Sequence, residues 1–171
     1  LSYVNPVTAT EIVALDELEN RILASDAISP VNVPQHTNSA MDGYAFKLAE
    51  NDQPYKMVGE VMAGHAYAGT IQAGEAVRIM TGAPVPAGAD TVQLRELANE
   101  QDGQVNFEGE MALGQHVRQA GEDIAQGATA LAANTRLHAA EQGLVASLGF
   151  GELPVFKRPT VAVFSTGDEV C

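Results

Sequence analysis

The sequence is poor in cysteine and in basic residues, and it has no long apolar run. Its one cysteine, Cys171, excludes an intramolecular disulfide, and nothing indicates an oxidising compartment. Nine Lys and Arg stand against 22 Asp and Glu, and the net charge of −13 argues against binding to nucleic acid or to an anionic membrane. Because no apolar run approaches the roughly 20 residues of a membrane span, we expect a soluble, cytoplasmic protein.

The remaining composition is that of an ordinary globular protein, with 46% apolar and 18% charged residues in 171. Both ends of the chain look cut. It starts at Leu1 rather than Met, and it stops at Cys171 directly after an apolar run and a turn. We therefore expect a fragment of a longer protein.

Two helices are predicted from apolar spacing. Between Thr8 and Asp26, apolar residues recur every three to four positions, and Thr8 with Glu11 fits a capping box. A second helix is predicted from His138 to Leu148, where Gly149 would form a left-handed C-terminal cap.

The middle of the chain predicts β-structure. Twelve of the 16 glycines lie between residues 41 and 127, where they separate short apolar or alternating runs. The predicted strands there are 55–58, 76–80, 91–94 and 104–107, and residues 152–156 form a further extended piece. Residues 160–164 read as a buried strand of a parallel sheet.

The predicted fold class is α+β and mostly β. A β-rich domain, residues 28–127, is inserted into a small helical domain made of residues 1–27 and 128–157. Residues 158–171 then begin an α/β domain that is truncated after its first strand.

Asp42 and Gly43 form a turn dipeptide within the polar segment Asn38–Ala45. On its own the segment reads as a connecting loop. The functional alternative places Asp42 at the mouth of a site, where its carboxylate would hold a metal ion or orient a water molecule.

Two further segments could bind an anion. Thr81 and Gly82 follow a predicted strand, and the backbone N–H groups of such a turn can cradle an anion, although a structural turn is the simpler interpretation. Arg118 precedes Glu122 and Asp123 by four and five residues. This spacing fits either a weak surface ion pair or a cationic group that binds phosphate beside carboxylates for a divalent ion.

Ser165–Glu169 directly follows the predicted strand 160–164. In open α/β sheets, ligands bind at the carboxyl ends of the strands, so this position favours function.

Taken in order, six segments closely resemble the molybdopterin molybdenumtransferases, the family of the bacterial MoeA proteins and of the E domain of gephyrin. They are Asn20–Asp26, Asn38–Ala45, Arg78–Asp90, Gly121–Ile124, Ala146–Gly149 and Phe164–Glu169. The resemblance covers essentially the whole chain but only the amino-terminal part of the family's chain. His36 and Thr37 depart from it, because the family usually has Phe-Asp there.

The resemblance implies a homodimer whose site lies between the α/β domain of one subunit and the inserted β domain of the other. The implied reaction takes adenylylated molybdopterin and molybdate, releases AMP with Mg²⁺, and leaves molybdenum on the dithiolene. Other proteins of molybdenum cofactor biosynthesis are the implied partners. The implied residues are Asp42, Thr81, Asp123 and Glu169 for catalysis, Arg118, Ser165, Thr166 and Gly167 for binding the cofactor, and Asp42, Asp168 and Glu169 for the metal.

Three functions remain open. The first is the amino-terminal part of a molybdenum insertase, inactive without its remaining domains. The second is a non-catalytic dimerisation or scaffold module of the same fold. The third is a metal-dependent phosphohydrolase that uses the same carboxylates and needs no molybdate.

Overall fold

The structure is a computed structural model that describes residues 5–48, 53–164, 166 and 167. Strands dominate it, as the sequence predicts. In chain order they are β1 Thr10–Ala14, β2 Ala27–Ile28, β3 Asn38–Ser39, β4 Gly43–Phe46, β5 Tyr55–Val61, β6 Glu75–Ile79, β7 Thr91–Leu94, β8 Ala98–Gln101, β9 Gln104–Phe107, β10 Val117–Arg118, β11 Thr129–Leu131 and β12 Glu152–Phe156. The helix α1 spans Ala139–Ser147.

The chain divides into two compact units. The first comprises the residues up to Pro30 and those from Gly127 onward, and the second comprises Val31–Gln126. The boundaries predicted from the sequence, with an inserted domain at 28–127 and an α/β domain from 158, stay predictions.

The first unit is built from two strand pairs and α1. Strand β1 pairs antiparallel with β12, so that Val13 lies opposite Leu153, and β2 pairs antiparallel with β11. The apolar side chains between these elements are buried and form one core. They are Val13, Leu18, Leu23, Ala27, Leu137, Val145, Leu153 and Val155.

The predicted helix between Thr8 and Asp26 is wrong. Residues Thr10–Ala14 are a strand, followed by a single 3-10 turn at Leu15–Glu17. Glu11 forms an ion pair with Arg21 instead of a capping box with Thr8. Pairing with β12 fixes an extended conformation here, and a tertiary contact of this kind overrides local apolar spacing.

The second predicted helix is confirmed in α1. The Glu141 carboxylate accepts a hydrogen bond of 2.9 Å from the backbone N–H of His138, the residue that precedes the helix. Gly149 has φ +89°, as expected for a glycine that ends a helix. Val145 is fully buried in the core of the first unit.

A six-stranded sheet forms the second unit, with strand order β7-β4-β6-β5-β9-β8. The two edge strands, β7 and β8, are joined in sequence by a 3-10 turn at Arg95–Leu97. Three strands separate β4 from β8, yet the Tyr44 hydroxyl on β4 donates a hydrogen bond of 2.7 Å to Glu100 on β8. The sheet therefore curls until its ends meet.

Side chains alternate between two apolar clusters along the strands of this sheet. On β4, Tyr44 and Phe46 lie in one cluster, while Ala45 lies in the other. The first cluster contains Tyr44, Phe46, Tyr55, Ala76, Val105 and Phe107. The second contains Ala45, Val61, Ile71, Val77, Ile79, Ala83 and Val92. The four strands predicted between residues 55 and 107 are confirmed as β5, β6, β7 and β9.

The strand predicted at residues 160–164 is wrong for this structure, since no strand is assigned there. Val161, Val163 and Phe164 are 74%, 90% and 81% exposed. A parallel strand needs hydrogen-bonded neighbours, and the described residues provide none for this segment. Within those residues, no helix combines the length and the apolar character that crossing a membrane requires.

Candidate functional site

Asp42 and Thr81 meet at one end of the curled sheet. Asp42 directly precedes β4, and Thr81 lies two residues beyond the end of β6. Since these strands are antiparallel, with Gly43 opposite Ile79, the start of one lies beside the end of the other. Asp42 Oδ1 accepts hydrogen bonds from the Thr81 backbone N–H and from the Thr81 hydroxyl, both 2.7 Å long. Two residues that the family resemblance names as catalytic are thus in direct contact.

These bonds hold Asp42 in its charged form. The backbone hydrogen bond from Thr81, and after it the hydroxyl bond, lower the pKa of Asp42, and the positive charge of Arg95 adds a smaller effect in the same direction. An aspartate with a lowered pKa is a carboxylate at neutral pH. It can accept a proton or bind a cation, but it is not a general acid.

Gly43 is needed for close packing and not for a positive φ. Gly43 is the first residue of β4, where it pairs with Leu94 of β7. A Cβ atom at Gly43 would lie 1.9 Å from the carbonyl oxygen of Gln93. The absence of a side chain therefore allows the backbone of β7 to approach the residue next to Asp42.

Arg118 lies at the end of β10 and is already paired with two carboxylates. Its Nε donates to Glu122 Oε1 at 2.8 Å, and its Nη2 donates to Asp123 Oδ1 at 2.7 Å. The second oxygen of Glu122 accepts the backbone N–H of Gln119 at 2.7 Å. The hydrogen bonds that Arg118 donates to Glu122 and then to Asp123 raise the pKa of Arg118, and the first of them lowers the pKa of Glu122. An anionic ligand would have to compete with these carboxylates for Arg118.

Strand β3 connects the two groups. On one side, Asn38 lies opposite Arg118 of β10. On the other side, the backbone of Ser39 accepts a bond of 2.8 Å from Gly82, and it donates one of 3.0 Å to Ala83. The turn after Thr81 and the strand that carries Arg118 are thus neighbours of the same two-residue strand. The side-chain oxygen of Asn38 is buried and has no hydrogen-bond partner among the described residues.

A cleft of about 620 Å³ lies within the second unit near these groups. Thr37, one of the two residues that depart from the family pattern, contributes to its wall, and its hydroxyl accepts a bond of 3.4 Å from the Ala120 N–H. The lining residues are Gln35, His36, Thr37, Gly64, Ala66, Pro84, Val85 and Ala120. A cleft of about 490 Å³ in the first unit contains none of the predicted site residues.

The other predicted site residues follow position 164. Thr166 and Gly167 are exposed and belong to the first unit. Ser165, Asp168 and Glu169 lie outside the described residues.

The described residues do not by themselves fit a Mg²⁺ site. No group of three His, Cys, Asp or Glu side chains suited to a metal ion occurs among residues 5–48, 53–164 and 166–167. One oxygen of Asp42 is used by Thr81, while Glu122 and Asp123 are bound to Arg118. Mg²⁺ takes six oxygen ligands, so beside the one remaining oxygen of Asp42 it would need water, substrate phosphate or further carboxylates.

Sequence reasoning missed a polar cluster next to Asp42. Tyr44 and Arg78 lie opposite each other on β4 and β6, and both bond to Glu100. Arg78 stands between Val77 and Ile79 in an alternating strand, which indicates that its side chain lies on the opposite face from theirs. Nothing in the sequence links either residue to Glu100.

Comparison with known proteins agrees with a fold that contains a curled sheet and a smaller α+β unit. The family model described as the MoeA N-terminal region, domains I and II, matches residues 1–149. The chain belongs to this family.

Two similar proteins are both named molybdopterin molybdenumtransferase. The protein from Haemophilus influenzae is 40% identical over 166 residues, which cover 95% of this chain and 41% of that protein. The protein from Nostoc sp. is 39% identical over 168 residues, covering 94% and 38%. The crystal structure of a molybdopterin biosynthesis moeA protein from Pyrococcus horikoshii OT3 has a TM-score of 0.85 and 28% identity, covering 91% of this chain and 43% of that one. The chain thus spans about two fifths of the length of these relatives.

Proposed function

We propose that the full-length protein containing this chain acts in molybdenum cofactor biosynthesis as a molybdopterin molybdenumtransferase. It would insert molybdate into adenylylated molybdopterin and release AMP. The observation that carries the proposal is the bond from Thr81 to Asp42 at the end of the curled sheet, in a chain whose relatives bear this name. The 171 residues alone would not complete a reaction cycle.

Asp42 acts as a fixed negative charge in this proposal. Its lowered pKa keeps it ionised, and the two bonds from Thr81 hold one of its oxygens in place. The other carboxylate oxygen is then available to accept a proton from a water molecule or to bind a cation. A charge that is already oriented in the folded protein lowers the barrier of a reaction, because the protein need not reorganise during the chemical step.

Arg118 supplies the positive charge for an anionic substrate. Molybdate and the phosphates of an adenylylated pterin are anions, and a chain with net charge −13 repels them at long range. Arg118 would bind them by exchanging Glu122 or Asp123 for a substrate oxygen, because a guanidinium forms charge-assisted hydrogen bonds with carboxylate and phosphate oxygens alike.

The proposal includes dependence on Mg²⁺, which would neutralise phosphate charge. Asp168 and Glu169 would have to complete the ligand set with Asp42, since the described residues do not form the site alone. It also includes a cytoplasmic homodimer that exchanges its substrate and product with other proteins of the same biosynthesis.

The test is AMP release from adenylylated molybdopterin by the full-length protein with Mg²⁺, measured with and without molybdate. We expect release that depends on molybdate, and we expect Asp42→Asn to lower kcat about a hundredfold, as loss of other preorganised polar groups does. Asn can still accept the bonds from Thr81, so the melting temperature should fall by only a few degrees. Asp26→Asn is the matched control, because Asp26 is also exposed and accepts a backbone N–H, that of Ala133.

The alternatives give different results in the same assay. Release that is indifferent to molybdate would indicate a phosphohydrolase. No release from a folded, dimeric sample would indicate a scaffold that keeps the fold of the family without its chemistry.

A further inference from the structure

Tyr44, Arg78 and Glu100 form a polar cluster on the curled sheet, in which Tyr44 is buried and Glu100 is exposed. Glu100 Oε2 accepts a hydrogen bond of 2.7 Å from the Tyr44 hydroxyl and one of 2.6 Å from Arg78 Nη2. The guanidinium carbon of Arg78 lies 6.0 Å from the centre of the Tyr44 ring. Tyr44 is only 3% exposed, whereas Glu100 is exposed, so this bond lies where the apolar cluster of the sheet meets solvent.

The cluster joins strands that the sheet itself does not pair. Tyr44 and Arg78 are direct partners on β4 and β6, whereas Glu100 lies on β8, the far edge strand. One carboxylate oxygen therefore connects two neighbouring strands to the opposite edge. Without these two bonds, apolar contacts such as that between Tyr44 and Phe107 would still hold this part of the curl, but they are less directional.

The polar contacts of Asp42 are made by the same chain segments that form this cluster. Asp42 itself is two residues before Tyr44, and Thr81, which holds the carboxylate, is three residues after Arg78. The backbone carbonyl of Asp42 accepts a bond of 3.1 Å from the Arg95 N–H, in the turn that leads into β8 and Glu100. The three chain segments that fix Asp42 are the same three that the cluster ties together.

We propose that Tyr44, Arg78 and Glu100 are positioning residues. Their shared hydrogen bonds fix the positions of strands β4, β6 and β8 relative to one another, so that Thr81 keeps its two bonds to Asp42. Their catalytic relevance rests on the proposed function. Their effect on the geometry of Asp42 does not.

The charges in the cluster support this role. The hydrogen bonds from Tyr44 and then Arg78 lower the pKa of Glu100, and Arg95 lowers it further by a smaller amount. Burial, and then the bond to Glu100, raise the pKa of Tyr44. Glu100 is thus ionised and Tyr44 protonated at neutral pH, which are the states that the bonds require. Tyr44 is a donor here, not a base.

The decisive experiment measures amide hydrogen exchange at Thr81 by NMR in full-length protein labelled with ¹⁵N. In Tyr44→Phe and Glu100→Gln, we expect the Thr81 N–H to exchange about tenfold faster than in the wild type, because its bond to Asp42 Oδ1 opens more often. The N–H of Ile71, which is bonded to the Ala87 carbonyl in the same unit, should keep its wild-type exchange rate, which separates this effect from a general loss of stability.

Two matched controls make the same chemical changes elsewhere in the second unit. Tyr67→Phe removes a hydroxyl that donates to the Val58 carbonyl, and Glu75→Gln changes a carboxylate that accepts the Gln72 N–H. Neither should change the exchange rate of the Thr81 N–H. If Glu100→Gln does not fold, Arg78→Lys serves as the second variant, since it keeps the charge but loses the planar guanidinium.

Kinetics then connect the geometry to the reaction. We expect Tyr44→Phe to lower kcat about tenfold with little change in KM, and its effect to vanish in the Asp42→Asn background. A lower melting temperature with unchanged hydrogen exchange at Thr81 would overturn the proposal and make the cluster purely structural. If the wild-type protein releases no AMP, the proposed function fails, while the NMR result still decides whether the cluster positions Asp42.

Discussion

The two polar groups beside β3 are built in opposite ways. Asp42 and Thr81 are 39 residues apart in sequence and meet because two strands of a sheet bring them together. Arg118, Glu122 and Asp123 lie within six residues and pair within their own loop. The first group is a carboxylate with no salt bridge among the described residues, and the second is a cation already matched by two carboxylates.

This difference assigns the two groups different parts in the proposed reaction. The Asp42–Thr81 pair is fixed by the sheet and needs no rearrangement before it can act. Arg118 must give up a carboxylate partner before it can bind an anion. Positioned charge favours the chemical step, whereas an exchangeable pair chiefly affects substrate binding. We therefore expect variants of the two groups to change kcat and KM respectively.

The largest effect is expected from Gly43→Ala, which disturbs the strand packing that supports the Asp42–Thr81 pair. The added Cβ would lie 1.9 Å from the Gln93 carbonyl oxygen, and a backbone atom cannot move aside cheaply. We expect the free energy of unfolding to fall by about 3 kcal/mol, the upper end for an overpacked site, as measured by urea denaturation. Gly143→Ala in α1 is the control, because its Cβ meets nothing within 4 Å and alanine favours the helix by about 0.5–1 kcal/mol. Equal effects of the two substitutions would show that the first group does not depend on close strand packing.

Short apolar or alternating runs between turn residues were enough to predict strands of the curled sheet that supports Asp42. The runs 91–94 and 104–107 became β7 and β9 without a change of boundary. The helix predicted from Thr8 failed because pairing between Val13 and Leu153 decides the conformation there, and 140 residues separate the two. Local periodicity carries no information about such a partner.

The candidate site was predictable only in part. The resemblance named Asp42, Thr81, Arg118 and Asp123, but their contacts follow from strand register and from the course of a loop. Glu122 was expected as a weak partner of Arg118, and the structure gives it the bond from Arg118 Nε. The bond from Tyr44 to Glu100 depends on the curl of the whole sheet, so no local pattern could reveal it.

A smaller effect is expected from Glu122→Gln, which acts on the second group. The substitution removes one of the two charges that neutralise Arg118, so an anionic substrate should compete more easily. We expect KM for adenylylated molybdopterin to fall roughly threefold, the size typical of a surface charge, with kcat unchanged. Glu110→Gln, at an exposed carboxylate outside both groups, is the control for net charge. A change in kcat instead of KM would remove the distinction between the groups.

The smallest effect is expected in acid, where the two groups should lose stability over different pH ranges. The pKa of Asp42 is lowered from 3.8 and that of Glu122 from 4.5, so each carboxylate binds its proton less readily in the folded state than in the unfolded state. Each therefore stabilises the fold fully above its ordinary value, and this contribution is lost as the pH falls through the lowered value. As the pH falls, the difference in melting temperature between the wild type and Glu122→Gln should begin to shrink near pH 4.5. The difference in melting temperature between the wild type and Asp42→Asn should stay constant until about pH 3.8. Since both side chains are exposed, we expect changes of a few degrees at most. If both differences in melting temperature shrink over the same pH range, the two groups titrate as one network. The loop that contains Arg118 would then depend on the strand ends that hold Asp42.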